Sequence, residues 1–152
     1  MREIRAITIQ EVEEVSSFVR RVFDQFIAPG YSAEGRAQFY AYIRPDAMTV
    51  RLQNQSVAFG IWEEEQIVAC IEIRDGNHIA LLFTDALYQQ RGLARKLMEV
   101  AQQTCSTFAE LSVNASPFAV GIYEKLGFIP QSEERVVNGI RFTPMIKSLQ
   151  KS

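Results

Sequence analysis

Apolar and polar positions alternate with two different periods along the chain, and the switches between them mark the elements. Ile4, Ala6 and Thr8 alternate against Arg5 and Ile7, which predicts a first strand over Arg2–Thr8. Thr8 and Glu11 have the spacing of a capping box, so a helix is expected to start there. Val12, Val15, Val19, Val22, Phe23 and Phe26 then recur at helical intervals until Pro29-Gly30 interrupts them. A second helix is predicted over Ser32–Ile43, anchored by Phe39, Tyr40 and Ile43, with Pro45 as its breaker. Residues 46–54 have no clear period and read as a short helical turn. Ser56–Trp62 and Ile67–Arg74 are strand-like and joined by the acidic turn Glu63-Glu64-Glu65. Asp75-Gly76-Asn77 turns the chain into a third strand, His78–Thr84, which gives an antiparallel meander.

A helix follows from Gly92 to Thr104. Leu93, Leu97, Val100 and Ala101 form its inner stripe, and Arg95, Lys96, Glu99 and Gln102 face water. Glu110–Asn114 is the next strand. Ser116-Pro117 opens a short helix, closed by Gly127 at its C-terminus. Phe118, Ile122 and Leu126 read as the core stripe of that helix, which sets Tyr123 at its border. Phe128–Pro130 is extended, and Arg135–Val137 and Ile140–Met145 flank Asn138-Gly139, the favoured pair for a two-residue hairpin. The order β-α-α-β-β-β-α-β-α-β-β predicts a mixed α/β fold, with a mostly antiparallel sheet and helices on both faces.

Length and composition narrow the class. The 152 residues fit a single domain, 1–152, and no repeat, linker or low-complexity tract divides them. Apolar residues make up 47% of the chain, which marks a globular protein rather than a disordered one. A net charge of −2 without a basic stripe gives no electrostatic case for nucleic acid. No apolar run has membrane-spanning length, so no membrane partner is expected. Met1-Arg2-Glu3-Ile4-Arg5 carries no apolar segment of the secretory kind, and the expected compartment is the cytoplasm. Cys70 and Cys105 lie far apart in apolar surroundings and read as reduced, buried thiols; with one histidine, no metal centre is expected.

Candidate chemistry concentrates in Leu81–Met98. A strand feeds a short polar turn, Gln89-Gln90-Arg91-Gly92-Leu93-Ala94, which runs straight into an amphipathic helix. The first turn of a helix has unpaired N–H groups and the positive end of the dipole, so it attracts anions. Gly92 lets a ligand approach the backbone. The turn lacks the glycines of a nucleoside-triphosphate loop and of a dinucleotide fold. What remains, Q-x-x-G-x-A between strand and helix, resembles the pyrophosphate-binding signature of the GNAT superfamily of acyl-CoA N-acyltransferases. A second segment agrees. Leu111–Pro117 followed by Tyr123-Glu124-Lys125-Leu126-Gly127-Phe128 resembles the later strand and helix of that family, with its Y-x-x-x-G-F ending. The element order also matches the GNAT fold from end to end.

The resemblance implies acetyl-CoA as cosubstrate, with Gln89, Gln90, Arg91, Gly92, Leu93, Ala94 and Arg95 around its diphosphate. It further implies that the strand before the turn splays from its parallel neighbour. A bulge in that strand would leave the backbone groups of Leu82, Phe83 and Thr84, opposite Asn114, free to hold the amide arm. The tyrosine at the motif position, Tyr123, is implied as the general acid that protonates the departing sulfur. An N–H such as that of Thr84 would stabilise charge on the carbonyl oxygen. His78 is a candidate base by its near-neutral pKa, and equally an exposed hairpin residue; period-two geometry sets it on the face of Ala80, Leu82 and Thr84. Glu72 and Asp85 are weaker candidates. Phe26, Tyr31 and Phe39, with Tyr40, either shape an acceptor pocket or simply pack the first helices on the sheet.

The expected activity is direct acetyl transfer to a primary amine, on a small molecule or a peptide, without an acyl-enzyme, since neither cysteine has a recognisable base. A non-catalytic CoA-binding regulatory or interaction module of the same fold is the alternative. Exposed strands at the end of a sheet leave a homodimer open. The chain departs from the usual motif at Gln89, where arginine is common, and at Ala94, where the last glycine stands.

Overall fold

The computed structural model describes residues 2–89 and 91–149. Strand β1 (Arg2–Ala6) leads through a 3-10 turn at Ile9–Glu11 into α1 (Val12–Phe26). The Glu11 carboxylate accepts the Thr8 N–H at 2.9 Å and the Thr8 hydroxyl at 3.2 Å, the reciprocal bond expected of that pair. Pro29-Gly30 falls in a second 3-10 turn, and α2 (Ala33–Tyr42) begins behind Ser32, whose hydroxyl accepts the Gly35 N–H at 3.1 Å.

Residues 46–54 are not a short turn. Pro45 is the first residue of a full helix, α3 (Pro45–Asn54), because proline costs nothing at a position whose N–H has no helical partner. The helix shows little amphipathic pattern; Met48 and Arg51 are its buried positions.

Strands β2 (Ser56–Glu63), β3 (Gln66–Arg74) and β4 (His78–Thr84) form the predicted antiparallel meander. Helix α4 (Leu93–Thr104) returns the chain to β5 (Glu110–Ala115), followed by α5 (Val120–Lys125), β6 (Ile129–Pro130), β7 (Arg135–Val137) and β8 (Ile140–Ser148). Asn138 and Gly139 both have positive φ, as the two-residue hairpin requires. The sheet runs β1-β2-β3-β4-β5-β8-β6, with β7 paired to the near end of β8. Among the described strands, only β4 and β5 pair in parallel.

Two cores cover the two faces. Helices α4 and α5 bury Leu93, Leu97, Met98, Ala101, Tyr123 and Leu126 against Ile61, Ile71, Ile73 and Ile79. On the other face, α1, α2 and α3 bury Val15, Phe18, Val19, Phe23, Ile43 and Met48 against Cys70, Leu81 and Phe83. No helix among the described residues is long and apolar enough to cross a membrane.

Candidate functional site

Strands β4 and β5 stay together for only two residue pairs, His78–Ser112 and Ile79–Val113, and then separate. The separation coincides with a bulge. Ile79 faces Ile73 and Leu81 faces Glu72, so Ala80 is an extra residue without a partner on β3. The bulge reverses the alternation: Ile79 packs in the α4–α5 core, and Leu81 and Phe83 pack in the α1–α3 core. His78 therefore lies on the face of Leu81 and Phe83, not on that of Leu82 and Thr84. Strict period-two counting fails here because one inserted residue changes the phase.

The pairing also decides which backbone groups are free. The Asp85 N–H donates to the Val68 carbonyl at 2.8 Å, so Asp85 and, by alternation, Phe83 direct their polar groups toward β3. Leu82 and Thr84 direct theirs into the widened gap beside β5. Of the three residues named from sequence, the backbones of two face the gap, and Phe83 contributes its side chain instead. The Thr84 carbonyl accepts the Gln89 side-chain amide at a long 3.4 Å.

Beyond the gap, Asp85 caps a 3-10 turn (Ala86–Tyr88) by accepting the Leu87 N–H at 2.9 Å, and it also takes a charged hydrogen bond from Arg21 at 2.8 Å. Both oxygens of that carboxylate thus accept a hydrogen bond. Gly92 then starts α4 with φ +80°, a left-handed conformation that side chains resist, and a Cβ there would point into open space. Among the described residues no side chain caps this helix, and no acidic residue stands in its first turn. Leu93 is fully buried and anchors the helix, so the first-turn amides of Leu93, Ala94 and Arg95 stay directed outward. Arg95 and Arg91 are exposed beside them, and the Arg91 guanidinium lies 5.3 Å from the centre of the Tyr88 ring. Gln90 lies outside the described residues. These groups fit a diphosphate: open backbone donors, a dipole of the right sign and flanking cations, with nothing anionic in the way.

A cavity of about 80 Å³ occupies the gap and joins the two faces of the sheet. Tyr123 and Ala119 line it from the α5 side, Ala80–Phe83, Val113, Asn114 and Ser116 from the parted strands, and Phe23, Ile27, Tyr31 and Phe39 from the α1–α2 side. Tyr123 is a buried core residue, in edge contact with Phe128 at 5.2 Å, not a border one. Of the stripe expected from sequence, Leu126 is buried, but Phe118 and Ile122 are exposed. The helix begins at Val120 rather than at Pro117, which shifts the buried arc to Tyr123 and Leu126. Burial pushes the Tyr123 phenol well above its ordinary pKa, so it holds its proton through neutral pH.

Tyr31 and Phe39 line the cavity, with Phe23 stacked on Phe39 at 4.0 Å. Burial raises the Tyr31 phenol to about 12, and its hydroxyl donates to the Arg141 carbonyl at 3.3 Å. Phe26 does not line the cavity; it stacks on exposed Phe118 at 5.1 Å, between the end of α1 and the β5–α5 turn. His78 is likewise outside the lining. Its Nδ1 is 2.8 Å from the Ser112 hydroxyl, and burial, followed by the nearby Arg74 charge, lowers its pKa. Glu72 is buried under two hydrogen bonds from Arg51, at 2.7 and 3.1 Å, and one from Ser56 at 2.7 Å, so its carboxylate is held in an ion pair outside the cavity lining. Burial, the largest cause, pushes the Cys70 thiol far up, the opposite of an activated nucleophile.

Sequence reasoning set the strand bulge at Leu82–Thr84 rather than at Ala80, and missed the Arg51–Glu72 clamp and the docking of the β7–β8 hairpin. The hairpin tip rests on α2, where a Cβ on Gly35 would overlap the Gly139 carbonyl, and Arg141 donates to the Gly30 carbonyl at 3.1 Å. Paired glycines 104 positions apart carry no local signal for such a contact.

A parted parallel strand pair, with a glycine-led, uncapped helix start beyond it, defines an acyl-CoA N-acyltransferase fold. The chain belongs to the GNAT acetyltransferase family: the sequence profile described as "Acetyltransferase (GNAT) domain" matches residues 27–149. Among solved structures, a GCN5-related N-acetyltransferase from Rhodopseudomonas palustris superposes with a TM-score of 0.83 at 20% identity, over 96% of this chain and 94% of that one. The PaiA N-acetyltransferase from Thermoplasma acidophilum, in complex with coenzyme A, gives 0.77 at 19% identity, over 97% and 99%. The ribosomal-protein-S18-alanine N-acetyltransferase from Escherichia coli gives 0.70 at 16% identity, over 100% and 96%. No curated protein matches the chain.

Proposed function

We propose that this chain is a single-domain N-acetyltransferase that moves the acetyl group of acetyl-CoA directly to a primary amine. The observation that carries the reading is the gap between β4 and β5, lined by the buried ring of Tyr123, beside the strand that leads on into the open start of α4. Acetyl-CoA supplies the activated acyl thioester. The amides of Gly92, Leu93, Ala94 and Arg95 bind its diphosphate, with Arg91 adding positive charge. Leu82 and Thr84 offer strand-like hydrogen bonds to the amide arm, across from Asn114. The Thr84 N–H then faces charge developing on the carbonyl oxygen.

Tyr123 gives its proton to the sulfur as the C–S bond breaks and recovers one from solvent. Its raised pKa keeps it protonated at working pH. The amine enters from the α1–α2 side, where Tyr31 and Phe39 favour an acceptor with an apolar part, on a small molecule or a peptide. The nitrogen loses its proton to water; His78, set back on Ser112, acts as a base only through a water chain.

The test has two stages. Acetyl-CoA at a hundredfold excess over its Kd is expected to stabilise the protein by about 2.7 kcal/mol, read as a rise in Tm. Thiol release is then followed with an amine panel. A Tm rise without turnover on any amine identifies the non-catalytic CoA-binding module instead. Tyr123→Phe is expected to lower kcat roughly 100-fold with the cofactor Kd nearly unchanged. Equal losses in both contradict the acid role. An unchanged pH profile in His78→Ala removes His78 from the mechanism.

A further inference from the structure

Strand β1 is the free edge of the sheet, at the opposite end of the meander from the cavity. Its pairing with β2 is regular, from Arg2–Glu63 to Ala6–Phe59. The Ile7 N–H donates to the Ala58 carbonyl at 2.9 Å. By alternation Arg5–Gly60 and Glu3–Trp62 are also hydrogen-bonded pairs. Arg2, Ile4 and Ala6 therefore turn their N–H and C=O groups away from the protein. All three residues are exposed, including Ile4 at 41%, large for an apolar side chain. The contact in view at these backbone groups is a marginal one, the Arg5 guanidinium 3.5 Å from the Ala6 carbonyl.

Such an edge templates another strand, and the side chains specify which. We propose that two copies of this chain pair β1 against β1, antiparallel, about a two-fold axis at Ile4. In that register Ile4 faces Ile4 of the second copy, Arg2 faces Ala6, and Glu3 faces Arg5. The outward-turned groups all meet outward-turned groups: two hydrogen bonds form at the Ile4 pair and two at each Arg2–Ala6 pair. The neighbouring registers with the same parity fail on charge. A shift one way puts Glu3 opposite Glu3, and the other way puts Arg5 opposite Arg5, and like charges directly opposite are destabilising. The strand is thus self-complementary in one register only. Within one copy Glu3 and Arg5 already share a face and pair at 2.6 Å, with Arg5 also held by Glu11 at 2.7 Å and lying over Trp62. Pairing extends this into a four-charge cluster across the axis. On the opposite face the two Ile4 side chains meet between the Ala6 methyl groups and the Arg2 stems.

The interface is isologous and small, at the low end for specific association, so monomer and dimer exchange with concentration. The cavity is remote from it, and the proposal does not depend on the acetyl-transfer reading.

Sedimentation equilibrium of the untagged chain tests it. The wild type is expected to pass from monomer mass toward twice that mass as concentration rises, and less so at high salt. Glu3→Arg and Arg5→Glu each put two like-charge pairs across the axis and are expected to weaken association about tenfold. Mixed one to one, these two variants again present opposite charges and are expected to dimerise with each other. The double variant carrying both changes restores self-complementarity and is expected to dimerise alone. Melting curves confirm that each variant folds; if Arg5→Glu does not, the exposed Glu3→Arg variant decides alone. A wild type that stays monomeric throughout, dimers that survive Glu3→Arg, or a folded double variant that stays monomeric each overturn the proposal.

Discussion

Gly92 meets two demands with one missing side chain. Its φ of +80° excludes branched residues on steric grounds, and the space where a Cβ would stand is the approach to the α4 amides. Gly92→Val is expected to cost about 1–3 kcal/mol in stability, measured by denaturant unfolding, and to weaken coenzyme A binding by at least an order of magnitude in titration calorimetry. Loss of stability with binding intact would mean that only the conformation matters. Glu11 provides a second residue-level test. Its carboxyl is held down to about 2, first by the hydrogen bond from Arg5 and then by those from Thr8, against desolvation. A depressed carboxylate stabilises the fold above its ordinary pKa of 4.5, and that contribution fades as pH falls toward 2. Glu11→Gln is expected to flatten the stability profile between those limits while lowering stability near neutrality. Single positions were unevenly legible. The motif found Tyr123, but not its burial, because Phe118 and Ile122 are apolar and in phase with each other. They face solvent because residues 117–119 form a turn that sets the helix frame three residues later.

At the scale of elements, local chemistry was the reliable guide and tertiary contacts were not. The hairpin at Asn138-Gly139, the Ser32 cap and the end of α5 at Gly127 follow from short-range backbone preferences that any fold must respect. Helix α3 had no such signature. Its stripe is interrupted, and a buried charge rather than an apolar ridge holds it to the sheet. Arg51 donates to Glu72 on β3 and to the Tyr42 carbonyl at the end of α2, with its guanidinium 3.7 Å from the Tyr42 ring centre. Arg51→Ala strands the Glu72 charge and is expected to cost roughly 3–5 kcal/mol, whereas replacing Arg51 and Glu72 together with apolar residues of similar volume costs far less. Denaturant curves of the two variants separate these outcomes. The position of the bulge in β4 was invisible for a related reason. Ile79, Leu81 and Phe83 are all apolar, so the pattern reads as unbroken alternation whether or not the faces switch between them.

For the molecule as a whole, the sequence carried the order of elements but not their lateral arrangement. Nothing local tells β8 to insert between β5 and β6, since that placement depends on pairing across long separations. The arrangement divides the sheet into a meander of β1–β4 and a block of β5–β8. Two parallel residue pairs and the hairpin tip resting on α2 connect these halves along the sheet. The α4–α5 core spans both halves, so this narrow seam within the sheet is its weakest line: on sub-global opening of the apo protein the β5–β8 amides are expected to exchange with solvent before those of β2 and β3. Whatever lodges in the gap touches both halves at once. Acetyl-CoA is therefore expected to act as a mechanical staple as well as a reactant, merging two tiers of amide protection into one and turning a broad melt into a single sharp cooperative transition.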